Sequence, residues 1–175
     1  EFTMIDSEPF SEYIGFTEAE VRDLCLKHQL DFAKMKQWYD GYIFNDLHIY
    51  NPKSVQSVLL RKKYRSYWVE TETYLSLKKY IQMNFEGLRD SIVLMVNKGR
   101  CKVNTRNFQN DMTSINSRDD VLTLLVHLGY LAFDDNTQEV YIPNEEILEE
   151  FRNTLDEREA EAVIAMYSMS TELKN

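Results

Sequence analysis

The densest grouping of residues able to do chemistry is Trp38-Tyr39-Asp40-Gly41-Tyr42, followed by Asn51-Pro52. Three aromatic rings around an Asp-Gly turn could form a stacking or ligand-orienting surface, with Asp40 as an acceptor. The same residues also fit a structural role, in which the rings anchor a helix-to-hairpin junction and Asp40 serves the backbone amides of its own turn. Phosphate cradles need clustered glycines, and neither Gly-x-x-x-x-Gly-Lys nor Gly-x-Gly-x-x-Gly occurs among the five glycines. The chain alone is therefore not expected to hydrolyse ATP. His28, His48 and His127 have no second ligand at usable spacing, which predicts packing or surface histidines and no metal site. Glu172-Leu173-Lys174 matches the bare Glu-x-Lys of restriction-type nucleases but lacks the upstream strand Asp, so chance accounts for it. No catalytic residue is expected.

The elements that would position these residues follow from periodicity and caps. Thr17 to Glu20 has capping-box spacing, and Val21, Leu24, Cys25 and His28 lie on one helical face, predicting a helix over about 17–28. A second helix should run from Asp31 through Trp38 and stop at Gly41. Ile43-Phe44 and Leu47 to Tyr50 flank Asn45-Asp46, a hairpin pattern. Asn51-Pro52 opens a helix with Val55, Val58 and Leu59 inward, closed by Arg61-Lys62-Lys63. A further helix is expected from near Thr73 to about Met83.

The second half has a different order of elements. Leu88, Ile92, Met95 and Val96 predict a helix over Glu86 to Lys98, stopped by Gly99. Arg100 to Val103 suits a short strand, and Asn104 to Asn116 a polar connection. Ser117 caps a helix that is apolar on most sides and ends at Gly129. Tyr130 to Phe133 and Val140 to Ile142 then form a hairpin. Helix, strand, helix and hairpin make the plan of a winged-helix module. Asn144 caps a last helix whose first turns carry Glu145, Glu146, Glu149 and Glu150, favourable at the positive end of its dipole. The expected fold class is mainly α (α+β). The expected units are a helical and hairpin segment over 1–73, a winged-helix-like module over 74–143 and an exit helix over 144–175.

Composition bounds the function. The 175 residues are 43% hydrophobic and 28% charged, a folded protein's balance, and a net charge of -9 repels phosphate backbones. The presumed recognition helix offers Arg118 against Asp119 and Asp120. Lys98, Arg100, Lys102 and Arg106 form the one basic cluster that could touch nucleic acid. No window approaches the roughly 18 apolar residues of a spanning helix, and no signal peptide is recognisable. Cys25 and Cys101 read as buried reduced thiols, which predicts a cytoplasmic setting. The opening Glu-Phe-Thr suggests a piece of something longer.

Six ordered motifs carry a family resemblance. They are Gly15-Phe16-Thr17-Glu18-Ala19-Glu20-Val21, Met35 through Tyr42, Tyr50-Asn51-Pro52-x-Ser54-Val55, Tyr67-Trp68, Leu124 through Leu131 with Gly129-Tyr130, and Ile142-Pro143-Asn144-x-Glu146. Over about residues 13 to 151 the chain resembles the post-core part of the predicted AAA-ATPase-like proteins of anaerobic bacteria. It departs from the family pattern at Lys53, at Glu70-Thr71-Glu72 and at Leu128. The resemblance implies a P-loop ATPase core before this stretch, with ATP and magnesium belonging to that core, and often a restriction-type (PD-(D/E)XK) nuclease domain after it. It implies no catalytic residue here. The implied role is a non-catalytic lid that relays nucleotide state to an attached effector. The alternatives are a DNA-binding winged helix serving a nuclease, and an Asp-Gly motif that touches the nucleotide's base or ribose.

Overall fold

The computed structural model describes residues 13–44, 46–67, 79–81, 83, 85–105 and 115–155. The fold is mixed α and β, mainly α, with two small antiparallel sheets. The first half contains β1 (Phe16–Thr17), α1 (Glu18–His28), α2 (Phe32–Tyr39), β2 (Tyr42–Phe44), β3 (Leu47–Tyr50) and α3 (Pro52–Arg61). The second contains α4 (Leu88–Val96), β4 (Cys101–Lys102), α5 (Arg118–His127), β5 (Ala132–Asp134), β6 (Glu139–Tyr141) and α6 (Glu145–Thr154).

Local chemistry sets the element boundaries. Thr17 and Glu20 close a full capping box on α1, and Asp31 accepts from the Ala33 and Lys34 amides at the start of α2. Asn51 caps α3 and Pro52 occupies its first turn, where a missing N–H costs nothing. Ser117 and Asn144 cap α5 and α6. The stop of α4 differs from expectation. Lys98, at φ 63°, takes the left-handed position. Gly99 is needed for a different reason, because a Cβ there would come within 2.6 Å of the Leu94 side chain.

Strand β3 is central in the first sheet, ordered β1-β3-β2, with Phe16 opposite Tyr50 and Tyr42 opposite Ile49. The β1 pairing adds a strand that two residues of sequence could not announce. In the second sheet, ordered β4-β6-β5, Cys101 faces Val140 and Phe133 also faces Val140 from the other side. Helix, strand, helix and hairpin, with the first strand joining the last, form the winged-helix-like module.

Each half has its own core. Val21, Cys25, Met35, Tyr39, Tyr50, Val55, Val58 and Tyr67 fill the first. Leu88, Ile92, Met95, Val121, Leu122, Leu125, Tyr130 and Val140 fill the second, and Ile147, Phe151 and Leu155 bring α6 into it. Tyr42, Ile49 and Ala132 form a smaller cluster where the two sheets meet. Cys25 and Cys101 are free, buried and in different cores. Among the described residues no helix is long and apolar enough to cross a membrane. The expected helix ending near Met83 and the distal part of the exit helix lie largely outside the described residues, as does Glu172-Leu173-Lys174.

Candidate functional site

Of the motif residues, Asp40, Gly41, Tyr42, Gly129, Pro143 and Asn144 converge on the seam between the halves. Gly41, at φ 116°, runs its backbone against Pro143, and a Cβ on it would collide with the Pro143 carbonyl. Only glycine meets both the conformation and the approach. The Asn144 side-chain amide donates to the Asp40 carbonyl at 2.9 Å while its oxygen caps α6 through the Ile147 amide. The Tyr141 hydroxyl donates to the Gly41 carbonyl at 3.0 Å, and the Tyr42 hydroxyl donates to the Gly129 carbonyl at 2.6 Å. Four hydrogen bonds or close approaches thus tie the Asp-Gly turn to the second half.

Glu146 supplies the buried part of the seam. One of its carboxylate oxygens accepts from the Ser54 hydroxyl of α3 at 2.7 Å, and the other accepts from the Tyr67 amide at 2.8 Å. The residue is 1% exposed. Burial pushes its carboxyl up to about 7, against the opposing effect of these two donors. One turn on, Glu150 is fully buried, and neither of its oxygens closes a hydrogen bond. Burial raises its pKa as well, with the nearby Ser66 side chain opposing. The expectation that all four glutamates simply complement the helix dipole is therefore corrected: two of them face inward. Their partners lie far away in sequence, so only the pattern Asn-x-Glu beside inward Ile147 could have hinted at it.

The other aromatic motif residues are also turned inward. The Tyr39 hydroxyl donates to the Arg65 carbonyl at 2.9 Å and accepts from the Arg65 amide at 3.1 Å. Trp38 leans on Tyr39 at 6.2 Å between centroids. Tyr67 is buried, with the Arg61 and Arg65 guanidinium groups 5.5 and 5.2 Å from its ring centroid, and its hydroxyl donates to the Lys63 carbonyl. Tyr130 is buried against the edge of Phe151. Asn51 and Pro52 start α3, and Trp68 lies outside the described residues. Of the five residues in the Trp38–Tyr42 run, Trp38 is half-buried and Tyr39, Asp40 and Tyr42 are buried.

Asp40 is buried among polar neighbours. It takes the Gly41 amide at 2.7 Å, and both its oxygens lie 2.9 Å from His48 Nδ1. Lys36 Nζ stands 3.6 Å from Asp40 and 2.6 Å from Glu18. Sequence spacing left His48 without a partner; the β2–β3 hairpin folds it back onto the turn eight residues earlier.

Two of the described members of the basic cluster are ion-paired. Lys98 pairs with Glu145 at 2.9 Å. Arg100 pairs with Asp134 at 2.9 Å and lies 4.2 Å over the Tyr141 ring. Lys102 is exposed on β4, and Arg106 lies outside the described residues. The presumed recognition helix α5 is buried continuously from Val121 to Val126.

Clefts flank the seam on two sides. One of about 270 Å³ is lined by Gln37, Lys98, Arg100, Pro143 and Asn144. A more apolar groove of about 210 Å³ is formed by Ile14, Tyr42, Phe44, Ile49, Pro52 and Leu128. A further cleft, of about 380 Å³, lies elsewhere, at the start of α5, where no motif residue lines it.

Over 71 residues the chain is 31% identical to the uncharacterized protein in the vnfD 5' region of Azotobacter chroococcum mcd 1. The match covers 39% of this chain and 14% of that protein. No family model and no solved structure matches the chain. The chain's own geometry bears on its function. That geometry is one of closure: the side chains with the most site-like spacing hold two cores together.

Proposed function

We propose that this chain is a non-catalytic, lid-like interaction region of an AAA-type ATPase, which packs on an ATPase core and relays its nucleotide state to an attached effector domain. The observation that carries this reading is the seam. Asp40, Gly41, Tyr42, Glu146 and Asn144 are engaged with each other's elements, so a displacement of one half is passed to the other through short hydrogen bonds. A relay needs that stiffness, whereas a catalytic site needs reactive groups directed at a substrate. The apolar groove built from both halves offers a surface for the core, and the buried thiols suit a reducing, cytoplasmic setting. ATP and magnesium belong to the core in this reading, and a restriction-type nuclease domain is a fitting effector.

A DNA-binding module for that nuclease is the second reading, favoured by the winged-helix-like topology alone. The ion pairs on Lys98 and Arg100 and the burial of α5 weigh against it, since they engage groups that phosphates or guanine edges would use. One set of mixtures separates the readings. The isolated chain with ATP and magnesium should show no turnover above buffer. It should bind the ATPase core of the same polypeptide with an affinity that changes between ATP and ADP. Hydrolysis by the chain alone, or nucleotide-independent indifference to the core, would overturn the proposal. Salt-sensitive binding of duplex DNA would transfer support to the second reading.

A further inference from the structure

We infer that Glu18, Asp40 and His48 form a binding site for one late first-row divalent cation of the zinc class. The three residues come from three elements: the first turn of α1, the C-terminal cap of α2 and the middle of β3. One ligand atom of each lies within 4.8 Å of the others. On a tetrahedron with zinc–nitrogen and zinc–oxygen distances of about 2.1 Å, ligand atoms stand about 3.4 Å apart. Small side-chain rotations close the difference, and the His48–Asp40 separation of 2.9 Å is already inside it.

The outer contacts are those of a built site. The Gly41 amide holds one oxygen of Asp40 at 2.7 Å, and Arg22 holds one oxygen of Glu18 at 2.9 Å. Such contacts fix ligand orientation before a metal arrives. One imidazole with two carboxylates suits zinc or its neighbours better than magnesium or calcium, which favour all-oxygen shells. Three protein ligands leave one position of a tetrahedron for water.

Lys36 already holds a positive charge against two of the three ligands. Its ammonium lies 2.6 Å from Glu18 and 3.6 Å from Asp40, where it serves as an internal stand-in for a cation. The side chain is 43% exposed, so it can swing into water when a divalent ion replaces it. Metal and lysine therefore compete for one place, and the bound metal clips α1, the Asp-Gly turn and β3 together. This inference stands apart from the relay proposal, because it concerns only the first half and needs no ATPase partner.

The test is titration of the metal-free 175-residue chain with Zn²⁺ by calorimetry, and with Co²⁺ by visible absorption. One ion per chain is expected, without the thiolate bands that Cys25 or Cys101 would give. Glu18→Gln and His48→Gln should each weaken binding by about tenfold or more. Lys36→Met, which removes the competitor, should tighten it by a similar factor, a gain that a misfolded variant cannot produce. The inference is overturned if neither wild type nor Lys36→Met binds one ion, or if binding persists unchanged in His48→Gln.

Discussion

Glu146 shows how much a single residue can set in this chain. Its folded carboxyl keeps a proton up to about pH 7, whereas an unfolded glutamate gives it up near 4.5. Between those values the folded state binds more protons than the unfolded one, so stability falls as pH rises from about 4.5 to 7 and levels off above. The shift corresponds to roughly 3 kcal/mol across the window. Glu150, raised by burial and by its acidic neighbour Glu149, acts with the same sign. His127, whose burial disfavours its charged form, acts with the opposite sign, and Lys53 offsets part of the shift on Glu146. The comparison with Glu146→Gln isolates the single group. Thermal melts between pH 5 and 8 should show a markedly shallower loss of stability in the variant; equal slopes would place the titration elsewhere. None of this was legible in the sequence. Ser54 and Tyr67 are 92 and 79 positions away, and glutamates in the first turns of a helix satisfy the dipole argument without any burial. His48 was missed for the same reason, since a hairpin, not a spacing, brings it to Asp40.

At the scale of elements the sequence was far more informative, because caps and stripes are local. Thr17, Asp31, Asn51, Ser117 and Asn144 each cap the helix that follows, as their types predict. The strand β1 was beyond reach because two residues have no period. Lys98 took the left-handed position assigned to Gly99, since the constraint at Gly99 is contact with Leu94 and not backbone conformation. Two caps of the same type provide a graded prediction. Asn51→Ala removes acceptance from the Lys53 and Ser54 amides and should cost about 1 kcal/mol. Asn144→Ala removes a cap and also the donation to the Asp40 carbonyl across the seam, so its cost should approach about 2 kcal/mol. Denaturant unfolding checks the ranking. Equal costs would mean that the long-range hydrogen bond contributes nothing.

Over the whole molecule, the question is whether two small cores behave as one body. Each alone is marginal in size, and the shared Tyr42, Ile49 and Ala132 cluster is small. Coupling must therefore come from the seam, where Gly41 lies against Pro143 and Glu146 reaches both α3 and Tyr67. The winged-helix-like plan was readable from element order, but the pairing of its face with the Asp-Gly turn was not, because no local pattern encodes contacts about a hundred residues apart. Native-state hydrogen exchange is the most direct measure of the joint. In the wild-type chain, the slowest amides of α1 and β3 and those of α4 and α5 should open with the same free energy and the same denaturant dependence. Gly41→Ala, which forces a Cβ onto the Pro143 carbonyl at a positive φ, should lower both and separate them, with the first half opening ahead of the second. Independent opening of the two halves in the wild type, or an unchanged pattern in Gly41→Ala, would contradict the seam as the device that makes this chain a relay.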